Sequence, residues 1–208
     1  MPIRGLIFDF GGVIVNMRWD MARKLEEDHK LERNTIVRTL YDADDWRAVE
    51  IGTGDIDAFR AAAHKRLEEA AGREMPPLHE HWRQSWELIE PNIELIRAMR
   101  PPYRTAILSN ADLNLEERMR DGMNIHHLFD TIVCSAVVGM AKPDPRIYQL
   151  AAERLELPLD ECVFIDDMER NVTAARETGM SAVHFRVYQD DDLLAQLAEL
   201  GVTRSAPS

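Results

Sequence analysis

Four stretches of the chain are apolar without alternation and stop abruptly at polar side chains. They cover residues 5–9, ending in Asp9; 105–110, ending in Ser109-Asn110; 131–135, ending in Ser135; and 162–167, ending in Asp166-Asp167. A strand with one wet face alternates apolar and polar residues, whereas a strand covered on both faces does not. Continuous runs of this length therefore predict a parallel sheet sandwiched between helices. Helical spacing supplies the covers: 145–152 opens on Pro145, and 170–178 stops at Gly179. A further strand over 182–185 and a closing helix over 193–200 complete the pattern. Strands alternating with helices predict an α/β fold, a doubly wound parallel sheet with right-handed crossovers.

Residues 17–86 read differently: they are helical and charge-rich, with no strand signal. Within 55–71, Ile56, Phe59, Ala63, Leu67 and Ala70 fall on one side, and Gly72 lies just past the end. Trp82, Trp86 and Ile89 also recur at helical spacing and read as core packing. The expected organisation is a core of residues 1–16 and 87–208, with a small helical unit, 17–86, inserted after the first strand. A length of 208 residues suits one such domain with its insertion. Residues 204–208 read as a frayed tail.

A net charge of −12 argues against nucleic-acid and anionic-membrane partners, which both require a basic surface. The run Glu26-Glu27-Asp28 reads as a solvated helix face or a helix start. Cys134 and Cys162 both sit in apolar runs and read as reduced core thiols. The apolar N-terminus is interrupted by Arg4 and Asp9 and lacks the organisation of a signal peptide, so a cytoplasmic protein is expected.

In an open parallel sheet, ligands bind beyond the C-terminal ends of the strands. Asp9, Ser109, Asn110, Asp166 and Asp167 would converge there, joined by Lys142 from the loop 139–144. Carboxylates crowded together repel one another unless a cation shares the site, and hard oxygen donors suit magnesium. A lysine and a hydroxyl alongside would hold phosphoryl oxygens, which points to phosphoryl transfer.

The runs 8–15 (FDFGGVIV), 108–110 (LSN), 142–148 (KPDPRIY) and 164–171 (FIDDMERN) resemble, in order, the motifs of the haloacid dehalogenase superfamily. Among its members, the chain looks similar to the branch of the glucose-1-phosphate-type and epoxide hydrolase N-terminal phosphatases. The resemblance spans essentially the whole chain and implies a Rossmann-like core with residues 17–86 as a helical cap. It implies a magnesium-dependent phosphatase acting on a small phosphate monoester, with a sugar phosphate as one option. Asp9 would be the nucleophile, forming an aspartyl-phosphate. Ser109 and the Asn110 backbone would bind the phosphoryl group, and Lys142 would neutralise its charge. Asp9, the Gly11 carbonyl, Asp167 and Asp166 would serve the metal, with Asn171 orienting the acidic pair from behind. The phosphatases of the family carry a second aspartate, the general acid, where this chain has Gly11. Either the substrate has a good leaving group, such as an anomeric or acyl phosphate, or the cap or water supplies the proton. Asp20, Glu50 and His64 are the candidate cap donors, though an exposed helix face accounts for each more simply. Arg18, Trp19, Trp46 and Arg47 are candidates to line the entrance. The His79-Glu80-His81 triplet reads as surface structure. Two alternatives stay open: a metal-independent dehalogenase of the same superfamily, and a non-catalytic regulatory protein on that fold. A small phosphorylated substrate is the expected partner, and the chain is expected to be a monomer or a homodimer.

Overall fold

The computed structural model describes residues 2–41, 43–189 and 191–204, so the expectation of a frayed tail falls largely outside the described residues. Strand β1 (Gly5–Phe8) leads through a two-residue strand β2 (Val15–Asn16) into five helices, α1 (Trp19–Asp28), α2 (Thr35–Tyr41), α3 (Asp44–Glu50), α4 (Ile56–Ala71) and α5 (Leu78–Gln84). The chain returns through β3 (Glu87–Leu88), α6 (Glu90–Met99) and β4 (Arg104–Ser109) to the short α7 (Leu115–Glu117), which runs into a π-helical turn. Then come β5 (Thr131–Cys134), α8 (Ser135–Val138), α9 (Pro145–Arg154), β6 (Cys162–Asp166), α10 (Glu169–Glu177), β7 (Ser181–His184) and α11 (Leu193–Glu199).

Five strands form one parallel sheet in the order β5-β4-β1-β6-β7. The unbroken apolar runs now have their reason. Along β1, Leu6 and Phe8 pack into the core on one face while Ile7 packs into the core on the other. In β6, Val163 and Ile165 share the first face, and Cys162 and Phe164 the second. Both cysteines are buried and free. Of the described helices, none is long and apolar enough to cross a membrane.

The helical segment has its own core, built around Ile36, Phe59, Leu67, Leu78 and Trp82. Two crossings tie it to the sheet. Val15 and Asn16 pair antiparallel with Leu88 and Glu87, and the buried Asn92 side chain donates to the Val13 carbonyl at 2.7 Å. Beside them, the Trp82 indole N–H donates to the Met17 and Arg18 carbonyls at 2.6 and 3.1 Å. Arg18 is left-handed there (φ 51°), and its carbonyl also accepts from the Met21 and Ala22 amides that open α1.

Three expectations need correction. Of Trp82, Trp86 and Ile89, only Trp82 lies on a helix, because the chain leaves α5 at Ser85 to enter β3. Glu26 is buried rather than solvated: its carboxylate accepts from the Asn34 and Ile36 amides and so caps the start of α2. His79 is a core residue, bonded to Thr39 Oγ1 at 2.7 Å, whereas His81 is exposed.

Candidate active site

Register places the acids. Phe8 at the end of β1 is level with Ile107 in β4 and with Ile165 in β6. One step further along each strand, Asp9 comes level with Asp166, and Ser109 lies one residue beyond that level on the other side. Carboxylate oxygens of Asp9, Asp166 and Asp167 all fall within 4.8 Å of one another. Lys142 reaches them from the loop before α9. Its Nζ lies 2.8 Å from Asp9 Oδ1 and 2.6 Å from Asp166 Oδ2, and the side chain is almost wholly buried.

The loop that carries Lys142 is clasped by Asn110. The Asn110 amide donates to the Lys142 carbonyl at 2.9 Å, and its oxygen accepts from the Lys142 amide at 2.8 Å. The end of β4 thus sets the position of the lysine. Asp166 is saturated: Lys142, the Met168 amide and both contacts of the Asn171 amide occupy its two oxygens. Asn171 therefore holds Asp166 alone, not Asp167. Asp9 accepts from the Phe10 amide and from Lys142 on Oδ1, so Oδ2 is the oxygen left for chemistry. Gly12 is left-handed (φ 78°), and a Cβ there would collide with the Asp167 carboxylate, so only glycine lets that acid approach the β1 loop.

Burial pushes the Asp9 carboxyl up to about 7, with Lys142 opposing and Asp166 and Asp167 adding to the rise. Burial and then Asp166 raise Asp167 to about 6. Burial also works against a charged Lys142, but Asp166 and Asp9 outweigh it and hold the ammonium protonated. Three carboxylates against one ammonium leave excess negative charge in a dry corner. That excess fits a hard divalent cation, for which Asp9 and Asp167 present free oxygens to the cavity while the saturated Asp166 adds its charge from behind.

This corner opens into a cavity of about 570 Å³ between sheet and helical segment. Asp9, Gly11, Ser109, Asn110, Lys142, Asp167 and Asn171 all line it, while Asp166 lies behind the wall. The opposite wall is aromatic, with Trp19, Tyr41, Trp46 and Trp86, and Met17 lies beside Gly11. Trp46 and Arg47 both face the cavity. Arg18 turns away to pair with Asp20 and Glu87. The three candidate cap donors separate: Asp20 is exposed and paired with Arg18, His64 lies by Glu68, and Glu50 lines the cavity. An exposed helix face is therefore the wrong account of Glu50.

Sequence reasoning missed a charged cluster on the same wall. Asp112 is buried, with Arg118 Nη1 at 2.8 Å from Oδ1 and Arg83 Nη2, from the helical segment, at 3.6 Å from Oδ2. Burial opposes ionisation of Asp112, but Arg118 more than compensates and holds it below the ordinary carboxylate range. Only the two positions separating Asp112 from Asn110 hint at this; Arg83 carries no sequence signal.

Comparison with known proteins agrees with this geometry. Residues 3–179 match the haloacid dehalogenase-like hydrolase family. Phosphatase MT3486 of Mycobacterium tuberculosis is 30% identical over 88% of this chain and 87% of its own length. The D-ribitol-5-phosphate phosphatase of Bacteroides thetaiotaomicron is 26% identical over 85% of this chain and 89% of its own. The chain also matches mouse acyl-CoA dehydrogenase family member 10 at 27% identity, but spans only 20% of that protein. Among solved structures, the magnesium complex of a HAD family enzyme from B. thetaiotaomicron superposes with a TM-score of 0.72 at 21% identity, over 95% of this chain and 99% of that one. The L-2-haloacid dehalogenase of Xanthobacter autotrophicus superposes at 0.64 and 18%, over 86% and 76%. With most of its length matched and its acids gathered at the strand ends, the chain belongs to the haloacid dehalogenase-like hydrolases.

Proposed function

We propose that the protein is a magnesium-dependent phosphatase that hydrolyses a small organic phosphate monoester, a sugar or polyol phosphate among the options, through an aspartyl-phosphate on Asp9. The observation that carries this reading is the meeting of three carboxylates within 4.8 Å beside one buried lysine. Two relatives named as phosphatases, matched over most of their length, support it. So does Asp167, a half-buried acid that a metal-free attack on carbon would leave beside Asp9 without compensation.

Asp9 Oδ2 attacks phosphorus, and Phe10 N–H and Lys142 on Oδ1 fix the carboxylate's rotation. Lys142 and the Ser109 hydroxyl stabilise charge on the phosphoryl oxygens. Asn110 keeps Lys142 in place, and Asn171 keeps Asp166 in place, so neither group has to reorganise during transfer. A bound divalent cation supplies charge compensation for the carboxylates and for the phosphoryl group. The aromatic wall receives the organic part of the ester and displaces water. A cytoplasmic monomer or homodimer with no macromolecular partner in turnover fits this scheme, and the two free thiols suit a reducing compartment.

The test is a screen of phosphate esters with and without magnesium, with Asp9→Asn as the control. Phosphate release that requires both magnesium and Asp9 is expected. Release of halide from haloacids without metal, and no phosphate release, would instead favour the dehalogenase reading.

A further inference from the structure

Position 11 lacks the acid that would protonate a leaving alcohol, and the Met17 thioether occupies the neighbouring space: a Cβ on Gly11 would lie 2.9 Å from Met17 Sδ. Across the cavity, the last residue of α3 is Glu50, which faces the same space as Asp9, Asn110 and Lys142. The Trp46 and Asn110 side chains act on its carboxyl, and Asn110 is the residue that clasps Lys142. Lys142 in turn touches Asp9. Glu50 therefore stands three contacts from the nucleophile, through Asn110 and Lys142, in the cavity that all four line.

The position is built, not incidental. Gly52, two residues on, is left-handed (φ 73°), and a Cβ there would run into the Ala136 carbonyl oxygen of α8. That close approach presses the α3–α4 turn onto the core and keeps Glu50 over the cavity.

We propose that Glu50, brought by the helical segment to the cavity shared with Asp9 and Asn110, is the proton donor that position 11 lacks, and that the substrates are unactivated alkyl phosphates. The proposal rests on the phosphatase reading above. In the first half-reaction, Asp9 Oδ2 forms a bond to phosphorus, the ester P–O bond breaks, and the Glu50 proton passes to the departing alkoxide oxygen. In the second, water attacks phosphorus, the Asp9–P bond breaks to release phosphate, which gives up the water's proton to solvent, and the Glu50 carboxylate is reprotonated from solvent. Both groups end as they began. Burial raises the Glu50 carboxyl above its ordinary value, against the Trp46 and Asn110 side chains and the charges of Arg170 and Arg47. That favours the protonated form the first step requires.

The experiment compares kcat for 4-nitrophenyl phosphate, whose leaving group needs no proton, with kcat for an alkyl phosphate such as glycerol phosphate, both with magnesium. Glu50→Gln should lower alkyl turnover by about 10²–10⁴-fold and aryl turnover by less than about tenfold. Asp20→Asn should change neither. Gly11 has no positive φ, and the Met17 thioether can swing aside, so Gly11→Asp added to Glu50→Gln should restore much of the alkyl rate, which a merely structural role for Glu50 would not allow. Equal losses on both esters, or no rescue, would overturn the proposal. So would a wild-type enzyme that hydrolyses the aryl ester and no alkyl ester. In each of these cases the phosphatase reading survives; no turnover of either ester by the wild type sinks both.

Discussion

Replacing Asp9 by asparagine should stabilise the metal-free protein, and increasingly so as the pH rises. Asp9 is nearly buried and faces two further carboxylates against one ammonium. The folded state therefore holds its proton up to about 7, where the unfolded chain releases it near 3.8. A carboxyl raised on folding contributes stability that is complete below its unfolded value and is lost as the pH climbs through its folded value. At about 1.36 kcal/mol per pK unit, a rise of roughly three units amounts to about 4 kcal/mol, lost between about pH 4 and about pH 8. For a chain of this length each kcal/mol moves the melting temperature by about 2–4 °C, so the loss is about 10 °C.

The assay is scanning calorimetry in EDTA on wild type and Asp9→Asn across that range. The gap between the two melting temperatures should widen by about 10 °C in favour of the variant from the acid to the alkaline end. Taking the difference removes groups that titrate alike in both proteins. His79 is one: burial depresses its ring from 6.5 to about 4, so it costs stability in the opposite direction, as the pH falls through that window. Magnesium should close the gap by compensating the charge that the asparagine removes. A gap that does not change with pH would refute the reasoning. So would an Asp9→Asn protein less stable than wild type in EDTA at the alkaline end, which would mean that the attraction of Lys142 outweighs burial and crowding.

Gly12→Ala should leave the fold intact but weaken magnesium binding by tenfold or more on the order of second-ligand losses, because the new Cβ displaces the Asp167 carboxylate; titrating phosphatase activity with magnesium measures this, and an unchanged midpoint would remove Asp167 from the metal set. Trp82→Phe should cost about 1–3 kcal/mol in urea unfolding, because it strips a buried N–H donor from the Met17 and Arg18 carbonyls while keeping an aromatic ring; unchanged stability would mean that the indole does not hold the seam between helical segment and sheet.

The sheet was legible because burial on both faces removes polar alternation. The acids at the strand ends were legible for the same reason: Asp9 and Asp166 interrupt runs that are otherwise apolar. The two-residue pairing of Val15-Asn16 with Glu87-Leu88 was not legible, being shorter than any period that could reveal it. The helical segment hid its exceptions because a charge facing solvent, a charge capping a neighbouring helix and a charge facing a cavity all occupy the polar side of a helix. Glu26 caps a helix and Glu50 and Arg83 face the cavity, and only tertiary contact separates them from ordinary solvated residues. His79 was misread for the converse reason, since its partner Thr39 lies 40 residues away.

The same separation gives the proposed chemistry its logic. The sheet supplies carboxylates in excess, which suit a nucleophile and a cation but repel an anionic ester; on a chain of net charge −12 that repulsion has no remote remedy. Compensation is local: Lys142 at the acids, and Arg83 and Arg118 sharing a single Asp112 farther along the wall. Moving the proton donor from position 11 to Glu50 then changes when catalysis is complete. An acid beside Asp9 on the β1 loop would be present whether or not the helical segment is seated. An acid at the end of α3 depends instead on the contact of the α3–α4 turn with Ala136, and the same helical segment carries the aromatic wall. Leaving-group protonation and desolvation would then arrive together, in one step of closure, which is the arrangement an enzyme for poor leaving groups needs most.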